Sequence, residues 1–314
     1  MKLETQLENV KTVAIAGHMK PDGDCTGSTL GVYNYIKTYH PDIAVTLYLE
    51  PIPNIFRFLT RSEEITHDCS GDESHDLFIS LDCGDEGRLG AAAKYFRTAK
   101  KTLCIDHHIS NSSFADVNYI FPHASSTCEL VFELLDADKI TKEIAECIYV
   151  GIVHDTGVFQ YSSTSAKTMN IAGQLMEKGI SFTRIVDDTF YKKTYNQNRI
   201  LGQALVDSKL YLDGKCIASV VTVAEMQEFG VEPKHLEGIV QQLRVTNDVE
   251  AALFLYENES GDFKVSMRSN ENVDVASILM AFGGGGHIRA AGATMSGTAD
   301  EIIEKIIAEV AKQL

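Results

Sequence analysis

The chain has 314 residues, which predicts two domains because a domain typically has about 150 residues. Hydrophobic residues make up 44% and charged residues 23%, as in ordinary soluble globular proteins, and no apolar run reaches the roughly 18 residues of a membrane span. The net charge of −16 disfavours a protein that coats long nucleic acid, since it repels a phosphate backbone. A small anionic substrate fits this charge if local cations, such as bound metals, attract it.

The cysteines indicate a reducing compartment. Their number, seven, is odd, and no two have C-x-x-C spacing, which disfavours a disulfide framework and a zinc ribbon. Most lie in apolar stretches, as small core residues do. The N-terminal stretch MKLETQLENVKTVAIAGH has no apolar core followed by a small-residue cleavage site, so the sequence predicts a cytoplasmic protein.

The first half of the chain alternates short apolar runs with helical patterns. Strands are predicted over residues 12–18, 44–50, 75–85 and 101–108. Helices are predicted over 24–39, over 87–100 and over most of 125–180. Strands that are apolar almost throughout and alternate with helices predict a parallel sheet covered on both faces. Ser126 and Glu129 have the spacing of a helix-capping box, which we prefer to a phosphate contact by Ser125 or Ser126.

A polar helical stretch leads into a second half with a different pattern. Two hairpins are predicted there, over residues 209–223 with an Asp-Gly turn and over 251–269. A glycine-rich loop and an amphipathic helix over 300–314 close the chain. The sequence therefore predicts an α/β protein with a domain over residues 1–191, a helical linker over 192–208 and a smaller α/β domain over 209–314.

Histidine and carboxylate side chains cluster in four places, at the ends of predicted strands or of a helix. The clusters are His18-Met-Lys-Pro-Asp22-Gly-Asp24, Asp82, Asp106-His107-His108 and His154-Asp155. Each alone could be a turn or a helix cap. Because ligands bind at the carboxyl ends of strands in open α/β sheets, we expect the first three clusters to converge if their strands are neighbours. The four together favour a functional site.

The residue types in these clusters indicate metal chemistry. Histidine and carboxylate without a thiolate suit Mn²⁺, Mg²⁺ or Fe²⁺ better than structural zinc. Two such ions about 4 Å apart, sharing a carboxylate, would activate water and stabilise an in-line displacement at phosphorus. Pro21 and Gly23 break the helix between His18 and Asp22, so this stretch fits a loop that turns several ligands toward one point.

These motifs resemble those of the DHH phosphoesterase family, which is named after the Asp106-His107-His108 triplet; HMKPDGDCTGS, LDCGD and VHDTG resemble its other metal motifs. The resemblance implies a centre of two manganese ions, with Mg²⁺ or another divalent ion as alternatives. It implies one ion on His18, Asp22 and Asp82, and a second on Asp24, Asp82, His107 and Asp155, with Asp82 as the bridge. It also implies that His108 lies beside the substrate phosphate and that Asp106 orients the histidines. His154 departs from the family pattern, which has a non-ionisable or hydroxyl residue there, but this puts no ligand in doubt.

The stretch AFGGGGHIRAAGA, residues 281–293, contains four consecutive glycines followed by a histidine. Glycine lets the backbone approach a phosphate closely, and backbone N–H groups can bind an anion. With the upstream Ser-Met-Arg-Ser motif, this stretch is similar to the signature of the DHHA1 domain, which accompanies DHH domains in nucleic-acid-directed members. The resemblance implies substrate contacts by Arg268, Ser269, Gly285, Gly286, His287 and Arg289.

The compact two-domain form resembles the nanoRNases of this family. The resemblance implies a manganese-dependent hydrolase that converts short oligoribonucleotides, such as the dinucleotide pApA, to mononucleotides. It also implies removal of the 3′-phosphate from 3′-phosphoadenosine 5′-phosphate. The expected partners are these substrates, without long nucleic acid or a membrane, and a homodimer is compatible with the sequence.

Other functions stay open at this point. The main alternative is a phosphodiesterase of cyclic dinucleotides. A manganese inorganic pyrophosphatase shares the first domain, but its second domain should be rich in Lys and Arg and lack the glycine loop. A non-catalytic nucleotide sensor should have lost a metal ligand, and a tRNA-editing module lacks a complete metal set.

Overall fold

Five parallel strands form the sheet of the first unit, residues 1–192 of the 314 that the computed structural model describes. The strands are β1 (Thr12–Ala16), β2 (Ala44–Tyr48), β3 (Leu77–Leu81), β4 (Thr102–Asp106) and β5 (Val117–Ile120). They lie in the order β2-β1-β3-β4-β5, and every neighbouring pair is parallel. The predicted α/β fold is confirmed, and β1, β3 and β4 occupy the centre of this sheet.

Both faces of this sheet are covered. The α-helices of the unit are α1 (Gly23–Tyr39), α2 (Ala93–Thr98), α3 (Thr127–Leu134), α4 (Lys142–Asp155), α5 (Ala166–Glu177) and α6 (Phe182–Val186). Val13 and Ile15 of β1 pack in one core with α1, α3 and α4, whereas Ala14 and Ala16 pack in another with α2. Two-sided burial explains why the central strands are apolar almost throughout.

Two elements of this unit differ from the sequence-based expectation. The helix predicted over residues 87–100 is a 3₁₀ segment over Glu86–Ala92 followed by the short α2, because Gly90 has a φ of 56° and breaks the α-helical path. The fifth strand, β5, was not predicted. It lies at the sheet edge and is only partly buried, so its sequence, VNYI, has no continuous apolar run.

Helices α1 and α4 approach closely where both carry glycine. A side chain at Gly27 of α1 would overlap the backbone carbonyl of Cys147 in α4. A Cβ at Gly151 of α4 would overlap the sulfur of Cys128 and lie 2.7 Å from Oδ1 of Asp24. Glycine at these positions therefore lets the carboxylate of Asp24 fit between α1, α3 and α4.

The second unit, residues 193–314, is built on a mixed six-stranded sheet. Its elements are α7 (Tyr195–Val206), β6 (Lys209–Tyr211), β7 (Cys216–Val221), α8 (Val223–Phe229), α9 (Ile239–Arg244), β8 (Ala251–Glu257), β9 (Phe263–Ser269), α10 (Val275–Met280), β10 (Gly285–His287), β11 (Ala290–Met295) and α11 (Ala299–Val310). The strand order is β10-β11-β9-β8-β7-β6, and only β7 and β8 pair in parallel. The two predicted hairpins are present as β6–β7 and β8–β9.

Helix α7 lies within the predicted linker and packs on the second sheet. Its buried residues Ile200 and Ala204 contact the core that contains Ile217 and Val221 of β7. This helix is thus part of the second unit. None of the helices in the chain combines the length and the hydropathy that a bilayer span requires.

A buried carboxylate organises the loop that follows β9. Oε1 of Glu250 accepts hydrogen bonds from the backbone N–H groups of Glu271, Asn272 and Val273, at 2.9, 2.6 and 3.0 Å. Burial alone would raise the pKa of Glu250, but these three donors outweigh burial and hold it below its usual value.

Replacing Glu250 with glutamine is expected to lower the free energy of unfolding by about 1–2 kcal/mol at pH 7, because the charged acceptor is lost. A carboxyl group with a lowered pKa in the folded state stabilises the protein fully above its unfolded pKa of about 4.3, and this contribution is lost as the pH falls through the folded pKa. The difference between E250Q and wild type should therefore shrink below about pH 4. Urea unfolding at several pH values measures it, with the exposed Glu259→Gln as the control. An equal difference at every pH would contradict this role.

Candidate metal centre

The carboxyl ends of the three central strands bring the predicted clusters together. His18 follows β1 by two residues, Asp82 directly follows β3, and Asp106 ends β4 and precedes His107. Since β1, β3 and β4 are neighbours in the sheet, these side chains converge at one edge. Asp24 near the start of α1 and Asp155 at the end of α4 complete the cluster.

The carboxylate of Asp82 lies at the centre of this cluster. Its Oδ2 is 3.5 Å from Nε2 of His18, and its Oδ1 is 3.7 Å from Nε2 of His107. Nε2 of His18 is also 3.6 Å from Oδ2 of Asp22. Asp82 is almost completely buried and has a φ of 55°, a left-handed conformation that Asp and Asn tolerate better than most residues. Its two oxygens therefore face two different groups of side chains, which we call the His18 half and the His107 half.

The His107 half contains two further carboxylates. Nε2 of His107 is 3.1 Å from Oδ2 of Asp155 and 3.9 Å from Oδ2 of Asp24. Ligand atoms about 2.1 Å from one divalent ion, at right angles, lie about 3 Å apart. The separations in both halves, 3.1–3.9 Å, are within about 1 Å of this value, so the donor set fits two divalent ions with oxygen and imidazole ligands.

Backbone carbonyls orient the two imidazoles. Nδ1 of His18 is 2.9 Å from the carbonyl oxygen of Met19, and Nδ1 of His107 is 3.3 Å from that of Ala124. Such a contact fixes the proton on Nδ1 and leaves Nε2 as the free lone pair. In both residues Nε2 is the atom that faces the carboxylates.

The concentration of carboxylates in the cluster favours binding of a cation. Burial and the neighbouring Asp82 and Asp155 raise the pKa of Asp24, and burial raises the pKa of Asp155 to about 7. Burial would lower the pKa of His18, but hydrogen bonding to Asp22 and Asp82 raises it to about 10. Without metal the cluster thus retains protons that a divalent ion would displace on binding.

Asp106 and His108 form a separate hydrogen-bonded pair beside the cluster. Oδ1 of the buried Asp106 is 2.7 Å from Nδ1 of His108 and 2.9 Å from the backbone N of His107, and its Oδ2 accepts from Asn111 at 2.6 Å. Burial would raise the pKa of Asp106, but the bonds from His108 and Asn111 lower it. The bond to Asp106 in turn raises the pKa of His108. His108 is therefore held through Nδ1, and 45% of its side chain is exposed.

Asp22 is placed for both roles that the sequence allowed, a helix cap and a candidate metal ligand. Its Oδ1 accepts hydrogen bonds from the backbone N–H groups of Asp24 and Cys25, at 3.1 and 3.0 Å, and so caps α1. Its Oδ2 faces His18. One carboxylate thus starts the helix and offers an oxygen to the His18 half.

The sequence analysis missed three contacts of the cluster. The hydroxyl of Thr127 donates to Oδ1 of Asp82 at 3.1 Å, Asn111 binds Asp106, and the sulfur of Cys25 lies within 4.8 Å of ligand atoms of His18 and Asp82. Thr127 lies inside the stretch that the sequence identified only as a helix cap. No motif signal marks any of the three.

The predicted cap of α3 is present only in part. Oγ of Ser126 accepts from the backbone N–H of Glu129 at 3.0 Å, as in a capping box. The Glu129 carboxylate does not return a bond to Ser126, because its Oε2 accepts from the hydroxyls of Ser125 and Thr168, both at 2.6 Å. This acid therefore links the start of α3 to the start of α5.

His154, which departs from the family pattern, is half-buried and its hydrogen-bond partner is neutral. Its Nε2 is 2.9 Å from the hydroxyl of Thr189, and its ring packs edge-on against Phe56 and Phe190. Burial lowers the pKa of His154 to about 4, so it is neutral. A Cβ at Gly23 would contact its ring at 2.5 Å, so glycine is required there.

The residues predicted to contact substrate gather at one edge of the second sheet. Gly285–His287 form β10 and pair with residues 290–292 of β11, and Ala290 pairs with Arg268 of β9. A side chain at Gly286 would overlap the backbone of Ala290, and its φ is 151°. His287 is exposed.

Three of these predicted side chains have hydrogen-bond partners within the unit, and Nη1 of Arg268 donates to the carbonyl of Met267 at 2.9 Å. The hydroxyl of the buried Ser269 donates to the carbonyl of Val273 at 2.6 Å. Nη1 of Arg289 donates to the same carbonyl at 2.8 Å, and its Nη2 donates to that of Glu271. Ser269 and Arg289 therefore shape the loop after β9, the loop that Glu250 also holds.

Comparisons with known proteins agree with this architecture. The family model described as "DHH family, N-terminal domain" matches residues 12–152, and the "DHHA1 domain" model matches residues 213–314. The first range contains the three central strands and most of the cluster, and the second contains the glycine-rich strand.

Relatives match across nearly the whole chain. A protein of Thermus thermophilus named bifunctional oligoribonuclease and PAP phosphatase NrnA is 28% identical over 96% of this chain and 90% of its own. The cyclic-di-AMP phosphodiesterase GdpP of Bacillus subtilis is 26% identical over 94% of this chain but only 46% of its own. The crystal structure of an exopolyphosphatase-related protein from Bacteroides fragilis superposes with a TM-score of 0.89, at 27% identity, over 99% of this chain and 94% of that one. With both family models matched in order and the fold shared from end to end, this chain belongs to the DHH/DHHA1 phosphoesterase family.

Proposed function

We propose that the protein is a metal-dependent phosphoesterase that hydrolyses short oligoribonucleotides, such as pApA, to mononucleotides. The same site would remove the 3′-phosphate from 3′-phosphoadenosine 5′-phosphate. The observation that carries the proposal is the placement of Asp82, whose two oxygens face two separate histidine and carboxylate groups. The name of the Thermus thermophilus relative supports this choice of substrates.

The two halves of the cluster would each hold one divalent ion. His18, Asp22 and Asp82 would bind the first, and Asp24, Asp82, His107 and Asp155 would bind the second. Bound ions of this kind lower the pKa of a water and neutralise charge on a phosphate. We expect Mn²⁺, with Mg²⁺ or another divalent ion as substitutes.

The protein's own groups would position the ester. His108, held through Nδ1 by Asp106, would direct Nε2 to a phosphate oxygen or to the leaving oxygen and supply a proton there. Asn111 would keep Asp106 in place. In the second unit, Arg268, His287 and the backbone of Gly285 and Gly286 would bind the nucleotide, while Ser269 and Arg289 would hold the adjoining loop.

The test is a comparison of hydrolysis rates for pApA, a three-nucleotide RNA and 3′-phosphoadenosine 5′-phosphate, with Mn²⁺ and with a chelator. We expect Mn²⁺-dependent release of mononucleotide from all three. Binding of pApA without turnover would indicate a nucleotide sensor, and preferred hydrolysis of pyrophosphate would indicate a pyrophosphatase. Either outcome would reject the proposal.

A second candidate is hydrolysis of a cyclic dinucleotide. It is favoured by the similarity to the cyclic-di-AMP phosphodiesterase over 94% of this chain. Under this alternative, cyclic di-AMP would be opened to pApA at least as fast as pApA is cleaved. Accumulation of pApA during the reaction would support this candidate over the first.

Replacing Arg268 with alanine is expected to raise KM about 10–100-fold with a small change in kcat, because a phosphate contact remote from the reacting bond is removed. Metal content should stay at the wild-type level, since Arg268 belongs to β9 of the second unit. Steady-state kinetics with pApA and metal analysis check both points. The exposed Lys264, four residues before Arg268 on the same face of β9, provides the control K264A. Loss of metal in R268A would contradict this division of roles.

A further inference from the structure

The first turn of α3 touches both buried carboxylates of the His107 half. The backbone N–H groups of Thr127 and Cys128 donate to Oδ2 and Oδ1 of Asp24, at 2.6 and 2.9 Å. The hydroxyl of Thr127 donates to Oδ1 of Asp82 at 3.1 Å. The start of a helix favours negative charge, so α3 stabilises these carboxylates in the closed interior.

The Asp82 carboxylate accepts its shortest hydrogen bond, 3.1 Å, from the hydroxyl of Thr127. Its other neighbours are imidazole nitrogens at 3.5–3.7 Å, longer than the usual hydrogen-bond distance of about 2.7–3.2 Å. A carboxylate rotates about its Cβ–Cγ bond at little energetic cost, because this bond has no strongly preferred staggered conformation. The hydroxyl thus contacts Oδ1, the oxygen that lies toward His107, while Oδ2 lies toward His18.

Thr127 itself is held firmly. Its own N–H is bound by Asp24, the preceding Ser126 caps α3, and Glu129 ties Ser125 to Thr168 of α5. All of these residues are buried. A donor fixed in this way can hold a carboxylate without moving with it.

We propose that Thr127 is a positioning residue whose hydroxyl sets the orientation of Asp82, so that one oxygen faces each half of the cluster. The proposal rests on the two-ion function proposed above. Thr127 touches neither substrate nor reacting atoms, and it acts through Asp82. Without the hydroxyl the carboxylate can turn and offer both oxygens to a single ion, which weakens binding in the other half.

The test compares Thr127→Val, which removes the hydroxyl at similar volume, with Thr127→Ser, which keeps it. Thr29→Val is the matched control, because Thr29 is a buried threonine whose hydroxyl donates to the carbonyl of Cys25 at 2.7 Å. The readouts are calorimetric titration of the metal-free proteins with Mn²⁺ and the EPR signal of a coupled Mn²⁺ pair. In T127V we expect one of the two Mn²⁺ affinities to fall about 10–100-fold and the coupled signal to be lost. T127S and T29V should keep two ions and the coupled signal.

The outcomes separate this proposal from the function on which it rests. If wild type binds two coupled Mn²⁺ ions and T127V does the same with equal affinities, Thr127 has no positioning role. If T29V loses metal as T127V does, the loss reflects general loosening of the core, and the proposal is overturned. If wild type binds no pair of ions, the proposed function itself fails together with this inference.

Discussion

Asparagine in place of Asp82 is expected to reduce kcat/KM for pApA by at least about 10³-fold and to lower the bound metal from two ions toward none. Asp82 is the only carboxylate that faces both His18 and His107, so its charge serves both halves. Loss of about 4 kcal/mol of transition-state stabilisation corresponds to a thousandfold in rate. Asparagine is preferred to alanine because residue 82 has a φ of 55°, which alanine would adopt only with strain.

Metal analysis after dialysis and steady-state kinetics measure this effect. The control is Asp85→Asn, a change of the same kind three residues further on, at an exposed carboxylate that caps the following 3₁₀ segment. D85N should keep both ions and nearly full activity. Two bound ions in D82N, or turnover within tenfold of wild type, would contradict the bridging role.

Alanine in place of His108 should lower kcat about 10²–10³-fold while both ions stay bound. General acid catalysis by a positioned group typically contributes 10²–10⁴-fold, and the bond to Asp106 would fix His108 for the acid role that we propose. That bond raises the pKa of His108, so its protonated form persists above the usual pH. Its contribution is therefore full at low pH and is lost as the pH rises through the raised pKa.

The pH profile of kcat distinguishes this role from a structural one. Wild type should show a fall on the alkaline side that H108A lacks, and Asp106→Asn should move that fall to lower pH because it removes the charge that raises the pKa of His108. The exposed His123→Ala is the control, with an unchanged profile. A metal content that drops in H108A would instead indicate that His108 is a ligand.

The sequence predicted the centre of the first unit better than its edges. Strands β1, β3 and β4 are buried on both faces, so they appear as continuous apolar runs, and polar residues directly after them mark the edge where ligands bind. That convergence required the three strands to be neighbours, and strand order is not encoded in any local pattern. The half-exposed edge strand β5 lacked the signal altogether.

Side-chain details of the candidate centre were less predictable, for physical reasons. The left-handed backbone of Asp82 follows from the turn that leaves β3, and an aspartate there looks like any residue after a strand. Thr127 is about 45 residues from Asp82 along the chain, and only the tertiary fold brings its hydroxyl within 3.1 Å. The break of the predicted helix at Gly90 could not be predicted, since an isolated glycine is tolerated in many helices.

If the cluster binds two ions as proposed, the glycine contact between α1 and α4 would make ion selectivity depend on helix packing. Asp24 belongs to α1 and Asp155 to α4, so the distance between the two helix axes sets the distance between the two carboxylates. Any larger side chain along this contact, even far from the cluster, would increase the separation of the two carboxylates. A cavity widened by a few tenths of an ångström prefers larger ions, since Ca²⁺ takes oxygen ligands at about 2.3–2.6 Å and Mg²⁺ at about 2.0–2.1 Å. Substitutions in the hydrophobic interior would thus change which ion the protein prefers, although every ligand residue stays the same.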